Sequence, residues 1–265
     1  MKIRNCSWRL IVIVMMVLFI LTACNANPLD GNPDFTEISM EEAHNQIPEL
    51  IVESYPYKAT TPSEGRNFTP VGLTLEELMS QRAAEREKLL ERKDSELDGK
   101  ALRYFYGGLP GGGTVKVQLD GKTIFTAPYG DDSPIDPVGG LWVLDEKWIL
   151  ELIHINTRTE NNTVYTDTRG DIIIDGKSMN ERYGYDESFD FQILAGKAFY
   201  FYEIDGQTGF VYDGQPVQTG FSEVPHYACC SGAARNPFHF QNMVSFFAGK
   251  GEEKMYVEIG VYPRN

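Results

Sequence analysis

The sequence predicts a mainly β fold: tandem antiparallel β-meander repeats, preceded by an N-terminal export signal, a flexible tether and one long helix. Three observations predict it. After residue 100, short runs such as "RYFY", "TVKVQL", "WILELI", "DIII", "FYFYEI" and "MYVEIG" follow one another, dominated by aromatic and β-branched residues and punctuated by Gly and Asp. A pattern of an apolar or aromatic residue, Asp-Gly, then Lys or Gln recurs at Leu119–Lys122, Ile174–Lys177, Ile204–Gln207 and Tyr212–Gln215. Asp-Gly between two β-type runs marks a two-residue hairpin, because both central residues need positive φ. Before residue 100 the composition is different, with prolines first and then a charged, helix-forming stretch.

The elements follow in order. Lys2, Arg4 and Arg9 precede an apolar run, Leu10 to Leu21, and then Thr22-Ala23-Cys24. A basic start, a short apolar core and small residues at the end make a secretory signal over 1–23. The run falls short of the ~20 residues that span a bilayer. Leu21-Thr22-Ala23-Cys24 resembles the lipobox of bacterial lipoproteins. That resemblance implies that Cys24 is diacylglycerylated and becomes residue one, with palmitate-type chains holding the protein at the cell membrane or outer membrane, on the extracytoplasmic side. Two chains hold firmly where one binds marginally. Residue 25 is Asn, where the same resemblance would read Asp as a sign of inner-membrane retention.

Residues 24–72 read as a tether and an irregular segment. "NANPLDGNPD" is polar and turn-rich. Ser39-Met40-Glu41-Glu42 fits a capping box for a short helix ending near Gln46. Prolines then recur from Pro48 to Pro70 with no period. Thr74-Leu75-Glu76-Glu77 is a second capping box, opening a helix over 73–99 that Gly99 stops. Its apolar stripe is interrupted by Arg82 and Arg86, so its charged face is expected to be solvated. "GGLPGGG", Gly107 to Gly113, has no Lys-Ser/Thr end and is expected to be a hinge rather than a phosphate loop.

Residues 100–265 form the β-repeat region. "IIIDGKSMNERYGYDESFDFQILAGKAFYFYEIDG" aligns with "FVYDGQPVQTGFSEV…NMVSFFAGKGEEKMYVEIG", and a looser copy begins at "VQLDGKTIF". Each unit is expected to be a four-stranded meander with an Asp-Gly turn and a Gly-Lys turn, the latter at Ala195–Lys197 and Ala248–Lys250. Such units must stack or close to bury a core. The stretch from Asp171 to Val224 resembles WG-type repeats of bacterial proteins, with Gly209-Phe210 in place of the Trp-Gly pair. The units also resemble β-propeller blades, which implies a propeller-like arrangement; three units are fewer than an ordinary propeller has, and a β-sandwich and a stacked array are the alternatives. The tail from Val224 resembles uncharacterised bacterial envelope proteins, which brings no activity with it.

Composition narrows the function. The chain has 24 Lys plus Arg against 38 Asp plus Glu, a net charge of −14. Losing residues 1–23 removes three bases and no acid, leaving −17. That charge disfavours nucleic acid as a partner and lying flat on an anionic membrane. Solubility is its plainest meaning, with Ca²⁺ or cationic ligands a further possibility. Cys229 and Cys230 are the only cysteines left in the folded part, so a disulfide scaffold is not expected.

The third unit carries an insertion between Glu223 and Met243, "PHYACCSGAARNPFHFQN", and insertions on a rigid scaffold often carry function. Three readings compete there. Cys229 and Cys230 are buried thiols, or a vicinal disulfide, or, with His226 and His239, ligands of a soft metal. Adjacent cysteines chelate poorly because they point to opposite faces of an extended chain. Asp131, Asp132 and Asp136 offer oxygen ligands for Ca²⁺ but lack EF-hand spacing. No cofactor motif and no common hydrolase signature is present. The expected role is binding or assembly, presenting a β surface to an envelope protein, a glycan or a peptide; the rival is an enzyme or metal carrier using the 225–242 loop.

Overall fold

A computed structural model describes residues 37–56, 95–109, 112–130, 136–160, 163–227 and 236–261, and these are mainly strand. Cys24 and most of the expected 73–99 helix lie outside the described residues. The described strands are β1 (Ile38–Ser39), β2 (Leu50–Pro56), β3 (Ser95–Leu97), β4 (Lys100–Leu109), β5 (Gly112–Leu119), β6 (Lys122–Gly130), β7 (Val138–Leu144), β8 (Lys147–Glu160), β9 (Thr163–Ile174), β10 (Lys177–Ser178), β11 (Glu187–Leu194), β12 (Lys197–Ile204), β13 (Gln207–Tyr212), β14 (Gln215–Phe221), β15 (Phe238–His239), β16 (Met243–Lys250) and β17 (Glu253–Val261). The helices are α1 (Met40–Gln46) and α2 (Met179–Tyr183).

Turn chemistry builds the hairpins. All four expected Asp-Gly pairs, and Asp98-Gly99 and Ala195-Gly196 besides, take positive φ at both residues, such as 51° and 78° at Asp120-Gly121. That is the type I′ geometry whose twist matches the strands it joins. The capping box at Ser39 also forms: its hydroxyl accepts from the Glu42 amide, and the Glu42 carboxylate accepts from the Ser39 amide.

Several expectations are corrected. Residues 95–99 are strand and turn rather than the end of a helix, because Asp98-Gly99 closes a hairpin with β4. Leu50–Pro56 is not irregular but a strand paired along its length with β17. The Gly107–Gly113 segment is no hinge: Gly107 pairs with Thr114 and Leu109 with Gly112 within one hairpin. Ala248–Lys250 is strand, and the turn sits at Gly251-Glu252, with Lys250 opposite Glu253. The repeats are hairpins rather than blades. In the second unit β9 belongs to an eight-stranded sheet and β11–β12 to a five-stranded one. In the third, β13–β14 and β16–β17 also fall in different sheets.

The sheet orders are β10-β9-β8-β6-β5-β4-β3 with β7 on β8, then β1-β14-β13-β12-β11, then β15-β16-β17-β2. The five-stranded sheet is the middle layer. On β12, Phe199 and Phe201 enter the core shared with Val244, Phe246, Val257 and Ile259, while Tyr200 and Tyr202 enter the core shared with Ile149, Ile172 and Ile174. Period-two alternation therefore explains the all-aromatic run "FYFY": both faces are covered, so neither is polar. Each such phenylalanine contributes ~1.5–3 kcal/mol on burial. On β11 the parity changes: Phe189 faces the first core and Phe191 the second, although they are two apart. A bulge between Phe189 and Gln192, with Asp190 at φ 59°, makes the switch.

Candidate functional site

Tyr55 with Glu53 and Tyr256 with Glu258 are tyrosine–carboxylate pairs within one strand; two other places bring such a pair together from separate elements. The first is a buried seam between the eight- and five-stranded sheets. On β8, Trp148, Leu150 and Leu152 face the inside of the larger sheet, and Ile149 faces the middle layer. Alternation puts Glu151 on that same face, and it is 4 % exposed. The β11 bulge turns two consecutive amides toward it: Asp190 N–H donates to Oε1 at 2.8 Å and Phe191 N–H to Oε2 at 3.1 Å. The Tyr227 hydroxyl donates to Oε1 as well. Burial, helped by the charge of Asp190, raises the Glu151 pKa, while the three donors oppose the rise. Side chains thus replace a ladder where the two sheets meet. Glu187 Oε1 accepts from Gly170 N–H at 2.5 Å, and Ser188 Oγ from Ile172 N–H at 2.9 Å.

The expected insertion stands on this seam. His226 Nε2 lies 3.0 Å from Glu187 Oε1 and Nδ1 2.6 Å from the Val224 carbonyl, and its ring lies flat on Phe189, centroids 3.5 Å apart. Burial pushes the imidazole pKa down, but the hydrogen bond and charge of Glu187, with the Val224 carbonyl and the Glu203 charge, outweigh it and raise it. An imidazolium here donates through both nitrogens and keeps no lone pair for a metal. His239 Nε2 lies 2.7 Å from Asp190 Oδ1. The two histidines therefore dock the two feet of the loop on one strand, three residues apart. Asn236 ties the feet together, donating to the Pro225 carbonyl at 2.7 Å. Cys229 and Cys230 lie outside the described residues. Among the described residues no group of three His, Cys, Asp or Glu is placed to hold a metal ion.

The second place is open. Tyr104 and Tyr106 alternate onto one face of β4, their rings 6.4 Å apart and 13° from parallel. With Phe105 and Asp136 they line a cleft of about 300 Å³. Tyr106 is 49 % exposed, and its hydroxyl reaches Asp136 Oδ2 only at 3.4 Å. Asp136 Oδ1 accepts from Val138 N–H at 3.0 Å, which fixes the carboxylate. Behind Tyr106, Tyr129 packs edge-on at 6.4 Å. Tyr129 in turn lies over Gly113, where a Cβ would come within 2.0 Å of its ring, so the glycine run clears space for an aromatic. Of the three aspartates considered for Ca²⁺, Asp136 is in the cleft wall and Asp131 and Asp132 lie outside the described residues.

Sequence reasoning picked His226, His239 and Asp136 but missed Glu151, Glu187, Asp190, Tyr227, Tyr104 and Tyr106. Glu151 had a signal: it is the one charge in the apolar run from Trp148 to Ile153. Comparison with protein-family models, with curated proteins and with solved structures finds no match.

Proposed function

We propose that this chain is a binding module of the cell envelope, tethered through lipid on Cys24 and presenting its β surface to an envelope protein, a glycan or a peptide. The observation that carries the reading is the Tyr104–Tyr106–Asp136 cleft: a half-buried and an exposed tyrosine on β4 beside a carboxylate fixed by the Val138 amide. Concave sites with aromatic walls and few placed polar groups are the ordinary form of a binding site. The seam supports the same reading from the other side. Glu151, Glu187, His226 and Tyr227 spend their hydrogen bonds on the protein itself, which suits a rigid support for the loop. The anchor is tested by mass spectrometry of protein from the native host. A diacylglycerylated Cys24 at the N-terminus, with Cys24→Ser moving to the soluble fraction, is the expected result. An uncleaved, unacylated cytosolic chain contradicts it. The binding role is tested by photo-crosslinking from position 104, on the same face of β4 as Tyr106, in intact envelopes: a discrete adduct that Tyr106→Ala abolishes is expected, and the absence of any adduct contradicts it.

A further inference from the structure

We infer that the Tyr104–Tyr106–Asp136 cleft takes an organic cation, an ammonium head of the quaternary or methylated kind. The inference rests on the binding reading above and names its ligand chemistry.

Tyrosine faces are negative, and an ammonium placed over one is attracted by the ring quadrupole. Here two near-parallel rings share a face with a carboxylate. Among the described residues Asp136 has no lysine or arginine paired with it; its contacts are the Val138 amide and the long bond from Tyr106. Oδ2 therefore keeps acceptor capacity pointed into an exposed cleft. The charge of Asp136 acts on the rings beside it: it is the leading cause of the raised Tyr106 pKa and, after burial, contributes to that of Tyr104. The site is built for positive charge by the same field that penalises tyrosinate. Whole-chain electrostatics agree, since a net charge of −14 draws cations and repels anions. A volume of about 300 Å³ is at the small end of ligand sites and fits a compact head rather than an extended chain. A neutral sugar would use the rings but leave the carboxylate's charge without a counterpart.

The test is calorimetric titration of the full chain, in nonionic detergent, with choline chloride, with its neutral isostere 3,3-dimethylbutanol, with a methyl glycoside and with CaCl₂. The expected result is choline binding at least about tenfold tighter than the isostere. Tyr106→Ala and Asp136→Asn should each weaken it about tenfold or more, with circular dichroism unchanged. Choline binding no tighter than the isostere, or unaffected by both substitutions, overturns the inference, as does Ca²⁺ binding alone. Glycoside or isostere binding that needs Tyr106 overturns the cation assignment while leaving the binding module standing. Silence from all four probes overturns the assignment, and the separate crosslinking test then decides the module.

Discussion

Tyr227 with Glu151 and Tyr106 with Asp136 are the same chemical pair in opposite surroundings. In the seam the carboxylate is 4 % exposed and takes three donors, so the pair is closed to anything outside. In the cleft the tyrosine is 49 % exposed and the contact is 3.4 Å long, so the pair is open to a guest. Burial decides the difference. A buried carboxylate that lost its donors would be left unsatisfied at a cost of several kcal/mol, whereas an exposed one turns to water. Hence the seam is fixed by what it holds together, and the cleft is the place where the proposed ligand would enter.

The largest expected effect is in the seam. Glu151→Ala strands the Asp190 and Phe191 amides and the Tyr227 hydroxyl, and should cost ~3–5 kcal/mol in urea unfolding. His226→Ala should cost ~3 kcal/mol, because Glu187 keeps only the Gly170 amide. The seam also sets a pH dependence. His226 titrates above its ordinary value, so its stabilisation is complete below about pH 6.5 and is lost as pH rises through the raised value. Asp171, pushed by burial up to about 6, has the same sign: its contribution is complete below its ordinary 3.8 and is lost through about 6. His154, whose burial lowers its pKa, works in the opposite sense below about pH 6.5. Melting temperature should therefore fall between about pH 6.5 and pH 9, and His226→Gln should flatten that fall. A rise over the same range would contradict the assignment.

Legibility in the sequence divides along the same line. The hairpins were legible because a type I′ turn is a local requirement that Asp120-Gly121, Asp175-Gly176, Asp205-Gly206 and Asp213-Gly214 meet by themselves. The Ser39 cap was legible for the same reason. Which sheet each hairpin joins was not, because that choice lies in the β11 bulge and in side chains that meet across the layers. Gly99 reads as a helix stop, although Asp98-Gly99 carries the same hairpin signal as the others. At the site, the insertion announced His226 and His239, but their partners Glu187 and Asp190 come from a strand far away in the chain. Tyr104 and Tyr106 read as one more apolar run; that Tyr104 packs on the core while Tyr106 stays half exposed is decided by contacts between elements.

Smaller effects sharpen the comparison. Gly113→Ala drives a Cβ into the Tyr129 ring and should cost ~1–3 kcal/mol while displacing the wall behind Tyr106, so ligand binding should fall with stability. Gly121→Ala, at φ 78° with open space around it, should cost only the ~1–2 kcal/mol of a left-handed side chain and leave binding unchanged. Tyr106 is half exposed but packed on Tyr104 and Tyr129, so Tyr106→Ala should cost about 1 kcal/mol.

One pair of denaturation curves tests the claim most directly. Tyr227→Phe and Tyr106→Phe each remove one hydroxyl from a carboxylate. The account predicts a loss of ~1–3 kcal/mol for Tyr227→Phe, with Glu151 short of a buried donor, and a change within about 0.5 kcal/mol for Tyr106→Phe. Equal losses, or the larger loss at Tyr106, would contradict it.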